Sequence, residues 1–179
     1  MQGDTAPTLA PQTPVSLVQD RPGFSSGYGI SPEPDGMLDW HDVTVRLEAS
    51  RNYWIGTTGP DGRPHAAPVW GVWIEDTLYS STDPASRKGR NLTSNPATAV
   101  HLESGDDAVL MEGHTDSVTD PAFVERVSAV YAKKYGLGLT GEGAPPGVVL
   151  AFRPHLIMAW REQDFPKSAT RWRLGARSI

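Results

Sequence analysis

Cysteine is absent from the 179 residues. Its absence removes disulfides, thiolate nucleophiles and cysteine-based zinc or iron–sulfur sites at once. Long apolar runs are missing too, so no segment is suited to cross a bilayer as a helix. The first residues lack the basic start and apolar core of a secretory leader. Positive charge is in deficit: 16 Lys and Arg face 21 Asp and Glu, a net charge of −5. That balance argues against a nucleic-acid partner and makes any basic cluster a local feature. The expectation is a soluble, cytoplasmic protein with neither membrane nor nucleic acid as partner. His41, His65, His101, His114 and His155 contain no H-x-x-x-H pair, so no metal is expected. No G-x-S-x-G elbow supports a hydrolase triad. No G-x-G-x-x-G between a strand and a helix supports a dinucleotide site.

What is present is a chain of one-domain length with enough apolar residues, 38%, for a real core. Residues 1–36 are rich in Pro, Ser, Gly and Thr and read as an irregular arm; residues 37–179 read as the folded domain. Asp39 caps a helix whose apolar face carries Trp40, Val43 and Leu47. Short strands then dominate: Tyr53–Thr58, His65–Val72, Thr77–Ser81, Ala97–Glu103, Ala108–Val118, Val148–Arg153, Ile157–Trp160 and Arg171–Leu174. Asp164–Thr170 reads as irregular. Pro68 cannot donate to a ladder, so it marks an edge, a bulge or a place where a ligand meets backbone. Gly113 reads as a bend or bulge. Asp120-Pro121 opens a second helix with Phe123, Val127, Val130 and Tyr131 as its stripe, ended by Gly136. Residues 136–147 form a loop. Many short strands with tight turns and few helices predict a mainly β fold, an antiparallel barrel.

The densest chemistry lies in Ser81-Thr82-Asp83-Pro84-Ala85-Ser86-Arg87-Lys88-Gly89-Arg90-Asn91-Leu92. Asp83 is a good N-cap and Pro84 suits a first helical position. A helix start presents unpaired N–H groups and the positive end of the dipole. Ser86, Arg87, Lys88 and Arg90 add a hydroxyl and three cations there. Together they predict a socket for an anion, phosphate first; the alternative is a solvated basic turn.

These residues, with Asp61-Gly62-Arg63-Pro64, Ala67-Pro68-Val69-Trp70 and Asn95-Pro96, resemble the flavin-binding split-barrel superfamily of pyridoxamine 5′-phosphate oxidase and its deazaflavin-dependent relatives. The resemblance spans roughly Trp40 to Leu174. It implies a homodimer of split β-barrels with two cofactors in grooves between subunits. It implies that the phosphate tail meets Ser86, Arg87 and Lys88, with Asn91 nearby. The ring would lie along Pro68, Val69 and Trp70 and along Ser80, Ser81 and Thr82. Trp160 and Arg171 would approach from the second subunit.

True pyridoxamine phosphate oxidases carry an Arg and a Lys in the strand where this chain has Ala67-Pro68-Val69-Trp70-Gly71-Val72-Trp73. A dianionic vitamin substrate would lack its counter-charge, and an aromatic, larger or neutral substrate fits better beside Trp70 and Trp73. The Pro-Val-Trp form resembles the branch that binds the 8-hydroxy-5-deazaflavin coenzyme F-420; FMN is the alternative. The implied activity is an oxidoreductase that moves a hydride between that cofactor and a small, conjugated substrate. A non-catalytic protein that holds a flavin or haem on the same barrel is the competing class. No catalytic side chain is singled out. Tyr53, Tyr79 and His65 could donate a proton by chemistry alone, with core packing or a surface hydrogen bond as the commoner role. Trp40, Trp54 and Trp172 are assigned to the core.

Overall fold

The computed structural model describes residues 16–141, 143, 144 and 147–175. Its strands are β1 (Leu17–Asp20), β2 (Asn52–Thr58), β3 (Pro64–Ile74), β4 (Thr77–Thr82), β5 (Ala97–His101), β6 (Asp107–Ser117), β7 (Val148–Arg161) and β8 (Thr170–Leu174). They join in the order β1-β8-β7-β4-β3-β2-β5-β6, and β6 pairs again with β7. All these pairings are antiparallel. The β6–β7 ladder closes β7, β4, β3, β2, β5 and β6 into a barrel, leaving β8 and β1 as an extension beside the second half of β7. The expected mainly β barrel is therefore the fold. No helix among the described residues is long and apolar enough to cross a membrane.

Alternation along the strands builds the interior. Tyr53 and Ile55, Trp73, Leu78, Val100, Val109 and Met111, and Phe152 and Ile157 point inward into one buried core. Helix α1 (Trp40–Ala49) closes one end of the barrel with the buried side chains of Val43 and Leu47. Asp39 starts it as expected, its carboxylate accepting from the His41 N–H at 2.8 Å. Helix α3 (Pro121–Tyr135) lies on the outside, packing Val127 and Tyr131 over Val72, Tyr79 and Val149. Asp120 caps it and Gly136 ends it in the left-handed conformation.

Four expectations are corrected. Within the expected irregular arm, Leu17–Asp20 is a strand, paired residue for residue with Arg171–Leu174; residues 1–15 lie outside the described part. The two strands expected at Val148–Arg153 and Ile157–Trp160 are one strand, β7. Gly113 pairs with Pro154 and Glu112 with Leu156, so His155 is an extra residue, a bulge. The bulge lies next to Pro154 and lets the strand continue through it. A Cβ at Gly113 would lie 2.2 Å from the Arg153 carbonyl oxygen, so the bulge admits no larger residue there. The irregular Asp164–Thr170 contains a short helix, α4 (Phe165–Ser168), and the first residue of β8. Finally, Trp54 is half-buried on the outer face, stacked on His101 with planes 1° apart, whereas Trp73 lies in the core.

Candidate functional site

Helix α2 (Arg87–Ser94) starts three residues later than the sequence suggests. Asp83 closes its own turn instead: its carboxylate accepts from the Ala85 N–H at 2.8 Å and its carbonyl from the Ser86 N–H at 3.0 Å. Ser86 is the N-cap, its hydroxyl accepting from the Gly89 N–H at 3.0 Å. Pro84 thus sits in the turn and not in the helix. Gly89 permits this arrangement, since a Cβ there would lie 2.6 Å from the carbonyl oxygens of both Asp83 and Pro84. The consequence is that Arg87 and Lys88 occupy the first two helical positions, where the dipole and the free N–H groups are strongest.

Lys88 is the unusual residue. It is 8% exposed, and its ammonium donates to Thr82 Oγ1 at 2.5 Å. Thr82 Oγ1 lies 3.1 Å from Ser86 Oγ, so strand end, cap and cation converge. No carboxylate among the described residues pairs with Lys88. Burial without a counter-charge lowers its pKa from the ordinary lysine value. Lys134 of α3 offers a contrast. Its pKa is also lowered by burial, but its three protons go to the Glu48 carbonyl at 3.0 Å, the Gly71 carbonyl at 3.1 Å and the Tyr53 hydroxyl at 3.2 Å. Lys134 is satisfied by protein; Lys88 retains donors for an added anion.

Asn91, one turn further along, donates to Thr57 Oγ1 at 3.0 Å and ties α2 to the end of β2. On the other side of the helix, Arg63, Arg87, Arg90, Asn91 and Ser94 line a cavity of about 640 Å³ with the Gly59–Asp61 turn. Arg63 pairs with Asp61 at 3.3 Å, and Arg90 reaches back to the Ala85 carbonyl. Arg87 is exposed. Arg63, quoted in the sequence only as part of the Asp61-Gly62-Arg63-Pro64 motif and not as a candidate site residue, lines this cavity because its turn folds against α2.

Strand β3 changes partner halfway. Pro64–Trp70 pair with β2 and Gly71–Ile74 with β4. The first half is therefore an edge, where Pro68 removes no ladder bond on its open side. Pro68 and Trp70 point outward and Val69 toward the core. Beside them the outer surface is made of small residues, Gly56, Ala66, Ala97 and Ala99, lining a concavity of about 660 Å³ that also includes His65, Glu112 and His155. On β4 the alternation places Ser80 and Thr82 inward, both buried, and Ser81 outward.

The chain thus brings Thr82, Ser86, Lys88 and Asn91 together at one end of the barrel, with Arg87 on the outer side of the same helix. Pro68, Val69 and Trp70 lie along the β3 edge. Trp160 and Arg171 lie elsewhere. Trp160 packs in an edge-on arrangement against Phe24 and Phe165. Arg171 is engaged by Asp20 of β1 at 2.8 and 2.9 Å. Among the proton-donor candidates, Tyr53 is buried with its hydroxyl donating to the Leu47 carbonyl, and burial pushes its pKa up. Tyr79 is buried under α3. His65 alone of the three lines a concavity.

Comparison with known proteins gives a family and several fold relatives. No curated protein matches the sequence. A conserved hypothetical protein from Mycobacterium tuberculosis is 24% identical, with a TM-score of 0.62 over 69% of this chain and 85% of that one. An F-420 reductase is 27% identical, with a TM-score of 0.51 over 63% of this chain and 93% of that one. The haem storage protein of Vibrio cholerae shares the fold at 14% identity and a TM-score of 0.53, over 64% of this chain and 89% of that one. The family model described as pyridoxamine 5′-phosphate oxidase matches residues 41–161, which include α1, the whole barrel and the Ser86-Arg87-Lys88 helix start. The chain therefore belongs to the pyridoxamine 5′-phosphate oxidase family of split barrels.

Proposed function

We propose that this chain is an oxidoreductase that binds the deazaflavin coenzyme F-420 and serves hydride transfer to or from a small conjugated substrate. The observation that carries the reading is Lys88: a buried ammonium with one hydroxyl partner, at the start of a helix, flanked by Arg87. A phosphate diester supplies the counter-charge that such a site needs. The residues fit the coenzyme in two further respects. The β3 edge offers backbone N–H and C=O groups to the polar rim of a flat ring. The apolar Ala67–Trp73 segment provides no cations for a second phosphate, which disfavours pyridoxamine phosphate as substrate. The likeness to an F-420 reductase supports the deazaflavin over FMN.

When bound, the deazaflavin supplies a two-electron hydride carrier. The protein's part is placement. Lys88, Arg87 and the α2 N-terminus would hold the tail, and the β3 edge would orient the ring. The outer surface of small residues around Gly56, Ala66, Ala97 and Ala99 is proposed as the face on which a second subunit seats, giving a homodimer.

The test is titration of the purified chain with F-420 and FMN side by side, with light scattering on the same sample. The reading expects tight binding of F-420, weaker binding of FMN and a dimer mass. Tighter binding of FMN would move the cofactor assignment to FMN, and binding of haem alone would replace the enzyme reading with storage.

A further inference from the structure

Trp70 ends the edge half of β3, and its side chain is 39% exposed. Its indole lies flat on Tyr135 of α3, with centroids 4.8 Å apart and planes 3° from parallel. The Arg51 guanidinium carbon is 5.0 Å from the Trp70 centroid and 5.8 Å from that of Tyr135. The guanidinium is therefore within cation–π range of both rings. Trp70 is thus stacked on Tyr135 with a guanidinium close to both rings, and it still keeps exposed surface.

This platform is anchored. The Gly71 N–H donates to the Tyr135 hydroxyl at 2.9 Å, and that hydroxyl lies 2.7 Å from the carbonyl oxygens of both Arg51 and Gly71. Lys134 donates to the same Gly71 carbonyl at 3.1 Å. Tyr135 therefore joins Trp70, the Arg51 backbone and the turn of β3 toward β4. Burial raises the Tyr135 pKa, which keeps the hydroxyl protonated and able to donate. Arg51 has no carboxylate partner among the described residues.

We infer that Trp70 and Arg51 form a seat for a flat, conjugated organic anion, whose ring stacks on the exposed indole surface and whose carboxylate or enolate oxygen takes the guanidinium. Ring stacking and a charge-assisted hydrogen bond then act on one ligand from adjoining directions. The assignment of this ligand as the substrate rests on the function proposed above, in which the cofactor ring runs along Pro68, Val69 and Trp70. Of the aromatic, larger or neutral substrate expected beside Trp70 and Trp73, the seat keeps the aromatic character and adds a negative charge: Trp73 is in the core, and the second group at Trp70 is a cation.

The probe is 1-naphthoate, with 1-naphthamide and cyclohexanecarboxylate as controls, titrated calorimetrically into the full chain before and after saturation with F-420. Naphthoate is expected to bind the wild-type chain better than either control. Trp70→Leu should weaken it about tenfold, the size of one ring stack, and Trp70→Tyr should restore part of that loss. Arg51→Gln should weaken naphthoate while leaving naphthamide unchanged. Equal naphthoate affinity in the wild type and Trp70→Leu, or no naphthoate binding by the wild type, overturns the seat. Failure of F-420 to bind while naphthoate still depends on Trp70 and Arg51 overturns the cofactor reading and leaves the seat standing.

Discussion

Val43 and Leu47 of α1 press into one end of the barrel against Tyr53, Trp73 and Leu78; at the other end Lys88 and Asn91 of α2 reach Thr82 and Thr57. The same strands run through both ends. Tyr53 and Ile55 become Thr57 on β2, Leu78 becomes Ser80 and Thr82 on β4, and Val109 and Met111 become Thr115 on β6. Thr115 also donates to Thr98 of β5 at 3.0 Å. One end is closed by apolar burial, which stabilises the fold. The other is closed by hydroxyls around a cation, which costs stability unless an anion is present. Under the proposed function, the α2 end is the one where packing gives way to binding.

The largest effect should come from Arg87→Ala with Lys88→Ala. The loss of two charge-assisted hydrogen bonds to a phosphate should weaken F-420 binding by roughly 4 kcal/mol, measured by calorimetry, with the melting temperature unchanged or raised. Equal binding in the variant would erase the difference between the ends.

Next comes Leu47→Ala at the apolar end. It should cost about 3 kcal/mol of stability in urea unfolding, the usual penalty for a buried leucine that leaves a cavity. Cofactor affinity of the folded protein should not change. A comparable loss of affinity would mean that the two ends are coupled.

A pH series sharpens the comparison further. Burial holds the Lys88 pKa below the ordinary lysine value of 10.5, so within that gap the unfolded chain binds more protons. Stability of the cofactor-free chain should rise with pH across the gap, while affinity for a phosphorylated ligand should fall as the ammonium is lost. Parallel melting and titration curves from neutral to alkaline pH read both signs; affinity that climbs with pH would exclude Lys88 from the site.

The smallest effect belongs to the arm. The hydrogen bonds from Arg171 hold the Asp20 carboxyl below the ordinary aspartate value of 3.8. Its contribution is present above the ordinary carboxylate range and is lost as pH falls through the lowered value. The pair is partly exposed and screened, so the change is small. Lower amide-exchange protection in Leu17–Asp20 at pH 3 than at pH 5, after division by the intrinsic rates at each pH, is expected, and Asp20→Asn should remove most of that pH dependence.

Caps and alternation made much of this structure legible. Asp39, Asp120 and Gly136 are local signals that act within one helical turn, and the inward residues of β2 and β6 alternate cleanly. The start of α2 was misplaced because an aspartate makes the same side-chain-to-backbone bond in a turn as in a cap. Only the close approach of the Asp83 and Pro84 carbonyls to Gly89 separates the two. Strand β1 has no alternation to read; it is set by a partner about 150 residues away, as the separation of 151 between Asp20 and Arg171 illustrates. Trp70 was legible as a groove residue, but Tyr135 and Arg51 were not, since their meeting depends on how α3 docks.

Lys88→Met, read for stability and binding in one preparation, tests the central claim most directly. The substitution keeps the volume and removes the buried charge. The account predicts a chain that melts at the same or a higher temperature and binds F-420 about 30-fold more weakly, the loss of one charge-assisted hydrogen bond. A chain that melts lower and binds F-420 as the wild type does would show that Lys88 serves the fold and that the phosphate is held elsewhere.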